Sequence, residues 1–169
     1  ITSRLVCTHS GFLKKSSLRV SQLFACQHMR SKRVGITASA FDLLHAGHIA
    51  MLKDAKSQCD YLVCALHIDP SLDRSEKNSP IQNTVERYVQ LSAIKYVDEV
   101  VPYLYEKELL DILQLYTPDV RILGKEYKDS LFSGRDICDT MGIELYFNQR
   151  EHRFSSSELR GRIYDEEHR

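Results

Sequence analysis

The sequence has no excess of charge, no long apolar run and no closely spaced cysteines, and each lack narrows what the protein can be. Its 169 residues carry 23 Lys+Arg against 23 Asp+Glu, a formal net charge of zero. A general nucleic-acid binder shows a basic excess, so that class of partner is disfavoured. The longest uninterrupted apolar stretch, Tyr61 to Leu66, falls far short of the ~20 residues a membrane-spanning helix needs. The five cysteines, Cys7, Cys26, Cys59, Cys64 and Cys138, form no CxxC pair and no disulfide framework. Reduced thiols in a cytoplasmic protein are therefore expected, with Cys59 and Cys64 as small core residues. What remains, 43% hydrophobic and 27% charged residues, suits an ordinary soluble globular protein with a core of its own.

The neutral total hides two unlike pieces. Residues 1–28 hold Arg4, Lys14, Lys15 and Arg19 and no acid, which leaves 19 bases against 23 acids from Met29 onward. That first segment has no sustained apolar period and no apolar h-region, so it is not a secretory signal. It reads as upstream sequence translated ahead of Met29, as the remnant of a transit peptide, or as an N-terminal arm. We favour the first and expect 1–28 to be an unstructured or non-native leader, with 29–169 as a single domain.

From Arg33 short apolar runs alternate with amphipathic stretches. Strands are expected at Val34–Thr37, Tyr61–Ile68, Glu99–Pro102, Val120–Leu123 and Ile143–Phe147. Helices are expected at His48–Gln58, Thr84–Ile94 (with Val85, Val89, Leu91 and Ile94 on its apolar face), Glu106–Tyr116, Gly134–Met141 and Ser155–Glu166. This alternation predicts an α/β fold: a Rossmann-like, doubly wound sheet of five parallel strands with helices on both faces. No repeat or second domain is visible. In such sheets ligands bind beyond the carboxyl ends of the strands, which points to the loops after Thr37, Ile68, Leu123 and Phe147.

The first of these loops carries the strongest signal. Phe41-Asp-Leu-Leu-His45-Ala-Gly47-His48 places two histidines three apart at a helix start, with a glycine between them. The helix N-terminus supplies unpaired N–H groups and partial positive charge, and Gly47 lets a ligand approach the backbone. Together they suit phosphate oxygens. A His pair is also part of many zinc sites. Asp42 is the only nearby acid and Cys59 and Cys64 lie on other elements, so no protein-bound metal is expected.

The same residues resemble the His-x-Gly-His signature of the cytidylyltransferase-like nucleotidyltransferases. The likeness continues through Ala55-Lys56, Asp60-Tyr-Leu-Val63, Glu86-Arg87 and Ala93-Ile-Lys-Tyr-Val-Asp-Glu-Val100. It covers about 33–165 and is nearest to glycerol-3-phosphate cytidylyltransferases. Near the C-terminus, Phe154-Ser-Ser-Ser-Glu-Leu-Arg160 is similar to the Ser-Ser-Thr-x-x-Arg phosphate-binding motif of the superfamily. Arg150 stands where cytidylyltransferases place the arginine of a related motif, with Glu-His-Arg-Phe replacing the usual small residues.

The resemblance implies nucleotidyl transfer: a phosphate oxygen of a small phospho-alcohol attacks the α-phosphorus of a nucleoside triphosphate, and pyrophosphate leaves in line. His45 and His48 would stabilise charge at the α-phosphate, with Lys77 and Arg150 balancing the other phosphates. Ser155, Ser156, Ser157, Arg160 and Gly47 would hold the triphosphate. Thr37, Ser39, Ala40 and Phe41 in the first loop, and Gly124, Glu126 and Tyr127 after the fourth strand, would flank the nucleoside. Asp42, Arg74 and Arg153 are expected at the acceptor, and Arg87 as a surface salt-bridge partner. Mg²⁺ would arrive on the substrate rather than in a protein cage. The implied partners are CTP and glycerol 3-phosphate, and a homodimer is in keeping with the family. Cytidylyltransferases have Gly-Thr where Ser39-Ala40 stands, so ATP with a sugar phosphate is the alternative, and a non-catalytic nucleotide-binding module the third reading.

Overall fold

The computed structural model describes residues 32–149 and 154–169. Five strands run β1 (Val34–Ser39), β2 (Tyr61–His67), β3 (Glu99–Tyr103), β4 (Val120–Gly124) and β5 (Glu144–Asn148). They form one sheet in the order β3-β2-β1-β4-β5, and every pairing is parallel. The helices are α1 (Ala46–Ser57), α2 (Thr84–Ser92), α3 (Glu106–Tyr116), α4 (Arg135–Met141) and α5 (Ser156–Glu167). This is the expected Rossmann-like fold. Strand order reverses at β1, whose neighbours are β2 on one side and β4 on the other, so the loop after β1 opens at the switch point of the sheet.

Two apolar layers cover the sheet. On one face Leu52 and Ala55 of α1 and Leu91 of α2 pack with Phe41, Leu62, Cys64, Leu66, Val120 and Ile122. On the other, Leu109, Ile112 and Leu113 of α3 pack with Ile36, Val63, Ala65 and Tyr103. Burial pushes the Cys64 thiol well above its ordinary range, which keeps it a core side chain and not a nucleophile. Gly35 is required by a close approach: a Cβ there would lie 2.6 Å from Cys59 Sγ.

Several local expectations are corrected. β1 continues two residues past Thr37, because Ala38 and Ser39 pair with Ala65 and Leu66. α1 begins at Ala46 with His45 as its N-cap. In α2 the apolar face is rotated: Val85 is 71% and Val89 60% exposed, while Leu91 and Arg87 are buried. The rotation follows from Arg87, which is no surface residue. Its Nε donates to Gln82 O (3.0 Å), Nη1 to Ala40 O and His67 O (both 2.8 Å), and Nη2 to Ile68 O (2.6 Å). A guanidinium carries enough donors in one plane to bind four carbonyls, and that demand outweighs burying two valines.

The loop from Asp69 to Pro80 is also more organised than its polar sequence suggests. Asp69 caps a short 3-10 turn (Pro70–Leu72), Ser71 Oγ meets Ser79 Oγ at 2.9 Å, and Asp73 accepts from Glu106 N. Among the described residues no helix is long and apolar enough to cross a membrane.

Candidate active site

The two histidines of the first loop cap their own helix. His45 Nδ1 accepts from Gly47 N at 3.0 Å, and His48 Nδ1 accepts from His45 N at 3.4 Å. Such a reciprocal box is usually made by Ser or Thr with Glu or Gln. With Nδ1 accepting in both rings, Nε2 is the nitrogen that carries the ring proton. The rings lie 4.1 Å apart between centroids. Phe41, with φ +50°, turns into the core beneath them and meets the His48 ring at 5.9 Å. Leu43 is also left-handed, with φ +49°. Two bulky residues in that region store strain, a recurrent property of binding loops.

Asp42 ties this loop to two distant segments. Its carboxylate accepts from Ile81 N (3.1 Å) and Gln82 N (2.9 Å), and pairs with Arg160 Nη2 at 2.6 Å. Burial alone would raise the Asp42 carboxyl, but the two amides and the guanidinium outweigh it and hold it below the usual carboxylate range. Ser156 Oγ donates to Asp42 O, so the start of α5 is fastened to the histidine loop. Ser155 is the N-cap of α5, its Oγ accepting from Glu158 N.

Two clefts open side by side at the carboxyl edge of the sheet. The smaller, about 350 Å³, is bounded by His45, Gly47, His48, Phe154 and Ser155 to Ser157. The N-termini of α1 and α5 both border it, so two sets of helix-end amides meet there. The larger, about 600 Å³, is bounded by Thr37, Ser39, Ala40, Arg74, Lys77 and Tyr127 among the expected residues. Met51, Gly124 and Glu126 line both. The bare face of Gly124 is taken by Glu126, whose Oε1 would be 2.4 Å from a Cβ there.

The expected residues thus divide. His45, His48, Gly47 and the three serines share the smaller cleft, and Lys77, Arg74, Thr37, Ser39, Ala40 and Tyr127 the larger. Phe41, Asp42 and Arg160 border neither, and hold the loop and α5 in place. Arg150 and Arg153 lie outside the described residues. The Arg74 guanidinium pairs with Glu106 at 2.5 Å.

The larger cleft also has residues that pattern reading passed over. His67, 1% exposed at the end of β2, has Nε2 3.1 Å from Leu104 O, stacks on Tyr103 at 4.4 Å, and sets Nδ1 3.7 Å from Glu106. Burial lowers its pKa more than Glu106 raises it, so the ring is neutral at pH 7. Arg121 is buried in β4. The signal for it was a lone charge in an apolar strand. Among the described residues no group of three His, Cys, Asp or Glu side chains is placed to hold a metal.

The cytidylyltransferase-like family model matches residues 36–162, which takes in all of the sheet but the first two residues of β1, and both clefts. The chain belongs to that family. It is accordingly a nucleotidyltransferase-type domain built on a nucleotide-binding fold. Among its relatives, the bifunctional protein HldE of Caulobacter sp. (strain K31) is 33% identical over 135 residues, covering 79% of this chain and 28% of that protein. The HldE of Mesorhizobium japonicum is 36% identical over 147 residues, covering 84% of this chain and 29% of that protein. The chain thus spans under a third of the length of the curated relatives it matches. Of solved structures, a lipopolysaccharide core biosynthesis protein from Thermoplasma volcanium superposes with a TM-score of 0.60 at 23% identity, covering 72% of this chain and all of that one. At that identity the likeness speaks for the fold.

Proposed function

We propose that this cytidylyltransferase-like domain transfers a nucleotidyl group from ATP to the phosphate of a sugar phosphate and releases pyrophosphate. The observation that carries the reading is the pair of adjoining clefts, one bounded by the histidines and two helix N-termini, the other by Lys77, Arg74 and polar side chains. Triphosphate in the first and acceptor in the second would meet at Gly124 and Glu126. Thr37, Ser39, Tyr103 and Tyr127 line the larger cleft, and their polar groups suit a polyhydroxy acceptor such as a sugar phosphate. Ser155-Ser-Ser157, which lines the triphosphate cleft and departs from the cytidylyltransferase pattern, supports ATP as donor.

In the proposed reaction an acceptor phosphate oxygen forms a bond to the α-phosphorus. The bond from that phosphorus to the α,β-bridging oxygen breaks, and its electron pair leaves on pyrophosphate. The attacking phosphate is ionised at neutral pH, so no general base is needed, and alignment with charge stabilisation carries the catalysis. The Nε2–H groups of His45 and His48 donate to the oxygens on which charge grows. The N-terminal amides of α5 hold the β- and γ-phosphates, Lys77 lines the acceptor side, and Arg150 would balance the phosphate charge. Both Asp42 oxygens are engaged by protein donors, which fits Mg²⁺ entering on the triphosphate and not on a carboxylate cage. A cytoplasmic location and a homodimer belong to the same proposal; sedimentation velocity reads the second directly.

The test incubates the chain with ATP or CTP, Mg²⁺ and a panel of phospho-acceptors, and measures pyrophosphate. ATP with a sugar phosphate is the expected pair. CTP with glycerol 3-phosphate is the second reading, favoured by the match that runs through Glu86-Arg87 and Ala93–Val100. Nucleotide binding without turnover on any acceptor would overturn both, and leave a non-catalytic module.

A further inference from the structure

β4 reads Val120-Arg-Ile-Leu-Gly124, and a charge in its middle is out of place. The strand is paired on both sides, with β1 and β5, and Arg121 is 4% exposed. Its Nη1 donates to Ser133 O at 2.6 Å and lies 3.8 Å from Cys138 Sγ, and the guanidinium stands 5.1 Å over the Phe132 ring. Among the described residues no carboxylate comes within 4 Å of it. The Ser133 carbonyl and the weakly accepting Cys138 sulfur engage the two N–H groups of Nη1, three donors remain, and a ring face offsets only part of the charge. Burying a cation on those terms is unfavourable unless something else supplies the counter-charge.

The larger cleft is where that counter-charge can enter, because Arg121 lines it. Of the other cations lining it, Arg74 is already paired with Glu106. Arg121 borders only this cleft, and His45 and His48 border only the other. It also lies three residues before Gly124, about 10 Å along the strand from the place where the clefts meet. The phosphate that reacts must sit at the meeting place. Arg121 therefore faces a different part of the acceptor, with Phe132 beside it and Tyr103 and Leu109 as apolar wall.

We infer that Arg121 is a specificity-determining residue of the acceptor cleft, and that the acceptor carries a second oxyanion, remote from the reacting phosphate, which Arg121 binds. This rests on reading the larger cleft as the acceptor site. A planar guanidinium held from one side by a carbonyl offers its remaining N–H edge to a carboxylate or a phosphate, and either group supplies the missing charge.

Direct binding by calorimetry separates this claim from turnover. Wild type, Arg121→Met and Arg121→Lys are titrated with a hexose 1-phosphate, a hexose 1,6-bisphosphate and a hexuronic acid 1-phosphate, and separately with ATP. Wild type is expected to bind one or both of the doubly anionic ligands at least about ten-fold more tightly than the monophosphate. Which of the two is tighter tells a terminal phosphate from a carboxylate. Arg121→Met should erase that preference while ATP affinity stays within about two-fold, and Arg121→Lys, which keeps the charge without the fork, should retain part of it. Equal wild-type affinity for all three sugars, or no binding of any, overturns the inference. So does a uniform loss across all ligands in Arg121→Met, which would mean that the side chain only pins the Ser133 turn. If the methionine variant does not fold, the wild-type ranking and the lysine variant still decide. Failure of pyrophosphate release in the assay above, with the ranking intact, would sink the proposed reaction and leave the anion site standing.

Discussion

Replacing Arg87 by methionine should destabilise the domain by about 3 kcal/mol, although the change removes a charge from the interior and keeps much of the apolar stem. Four carbonyls accept from that one guanidinium, those of Gln82, Ala40, His67 and Ile68. A buried carbonyl that loses its donor costs ~1–3 kcal/mol. The low end applies, since a carbonyl has a second lone pair, which gives ~4 kcal/mol for the four. Against this, no carboxylate lies within 4 Å of Arg87 among the described residues, and burial depresses its pKa. Relief of that desolvation returns roughly 1 kcal/mol. For a unit of this length the net loss corresponds to a fall in Tm of about 10 °C. Urea unfolding followed by circular dichroism measures the first quantity and a thermal scan the second. Arg87→Lys, with three donors and no planar fork, should recover no more than about half. A methionine variant within about 1 kcal/mol of wild type would refute the reasoning, because the four carbonyls would then be satisfied without the guanidinium.

Three further outcomes are expected. His48→Ala should lower kcat for pyrophosphate release by about 10², the usual effect of losing one oriented donor; a near-normal kcat would remove the histidine from the chemistry. Asp42→Asn should cost about 2 kcal/mol at pH 7 through the broken Arg160 pair. Because the folded Asp42 pKa is depressed, its contribution is complete above the unfolded value near pH 4 and is lost as the pH falls through the folded one. The gap between wild type and variant in urea unfolding should therefore shrink below about pH 4, and a constant gap would contradict the assignment. Thr117, a β-branched C-cap of α3 at φ +43°, should gain about 1 kcal/mol on change to glycine, seen as a higher Tm; a lower Tm would mean that its side chain holds something the backbone does not need.

The expected strand and helix order is the one the structure has, because strands buried on both faces and amphipathic helices write different periods into the chain. The histidine pair, Gly47 and the serine run were legible for a related reason: each is a local pattern at the end of an element. What escaped was long-range or ran against pattern. The orientation of α2 is set by Arg87 reaching carbonyls up to 47 residues away, so counting apolar positions placed Val85 and Val89 on the wrong side. Asp42 stood in the motif as an acceptor contact, yet its partners are 39, 40 and 118 residues distant. The loop from Asp69 to Pro80 is polar in sequence, yet Asp73 and Arg74 both meet Glu106, more than 30 residues on, once the chain folds.

The reciprocal cap at the start of α1 has a consequence for how this loop can change over time. A helix normally begins on residues that have no other duty, so its start and any nearby chemistry drift independently. Here the imidazole nitrogens that receive the helix's first amides belong to the same two rings that face the cleft. A lineage that discards either ring also loosens the first turn of α1. Serine at 45 with glutamate at 48 would be the economical repair, restoring the turn and leaving a well-folded chain without the two imidazole donors. Retention of both histidines in a descendant is therefore weaker testimony to activity than it looks, whereas that particular double replacement would be a clear record of its abandonment.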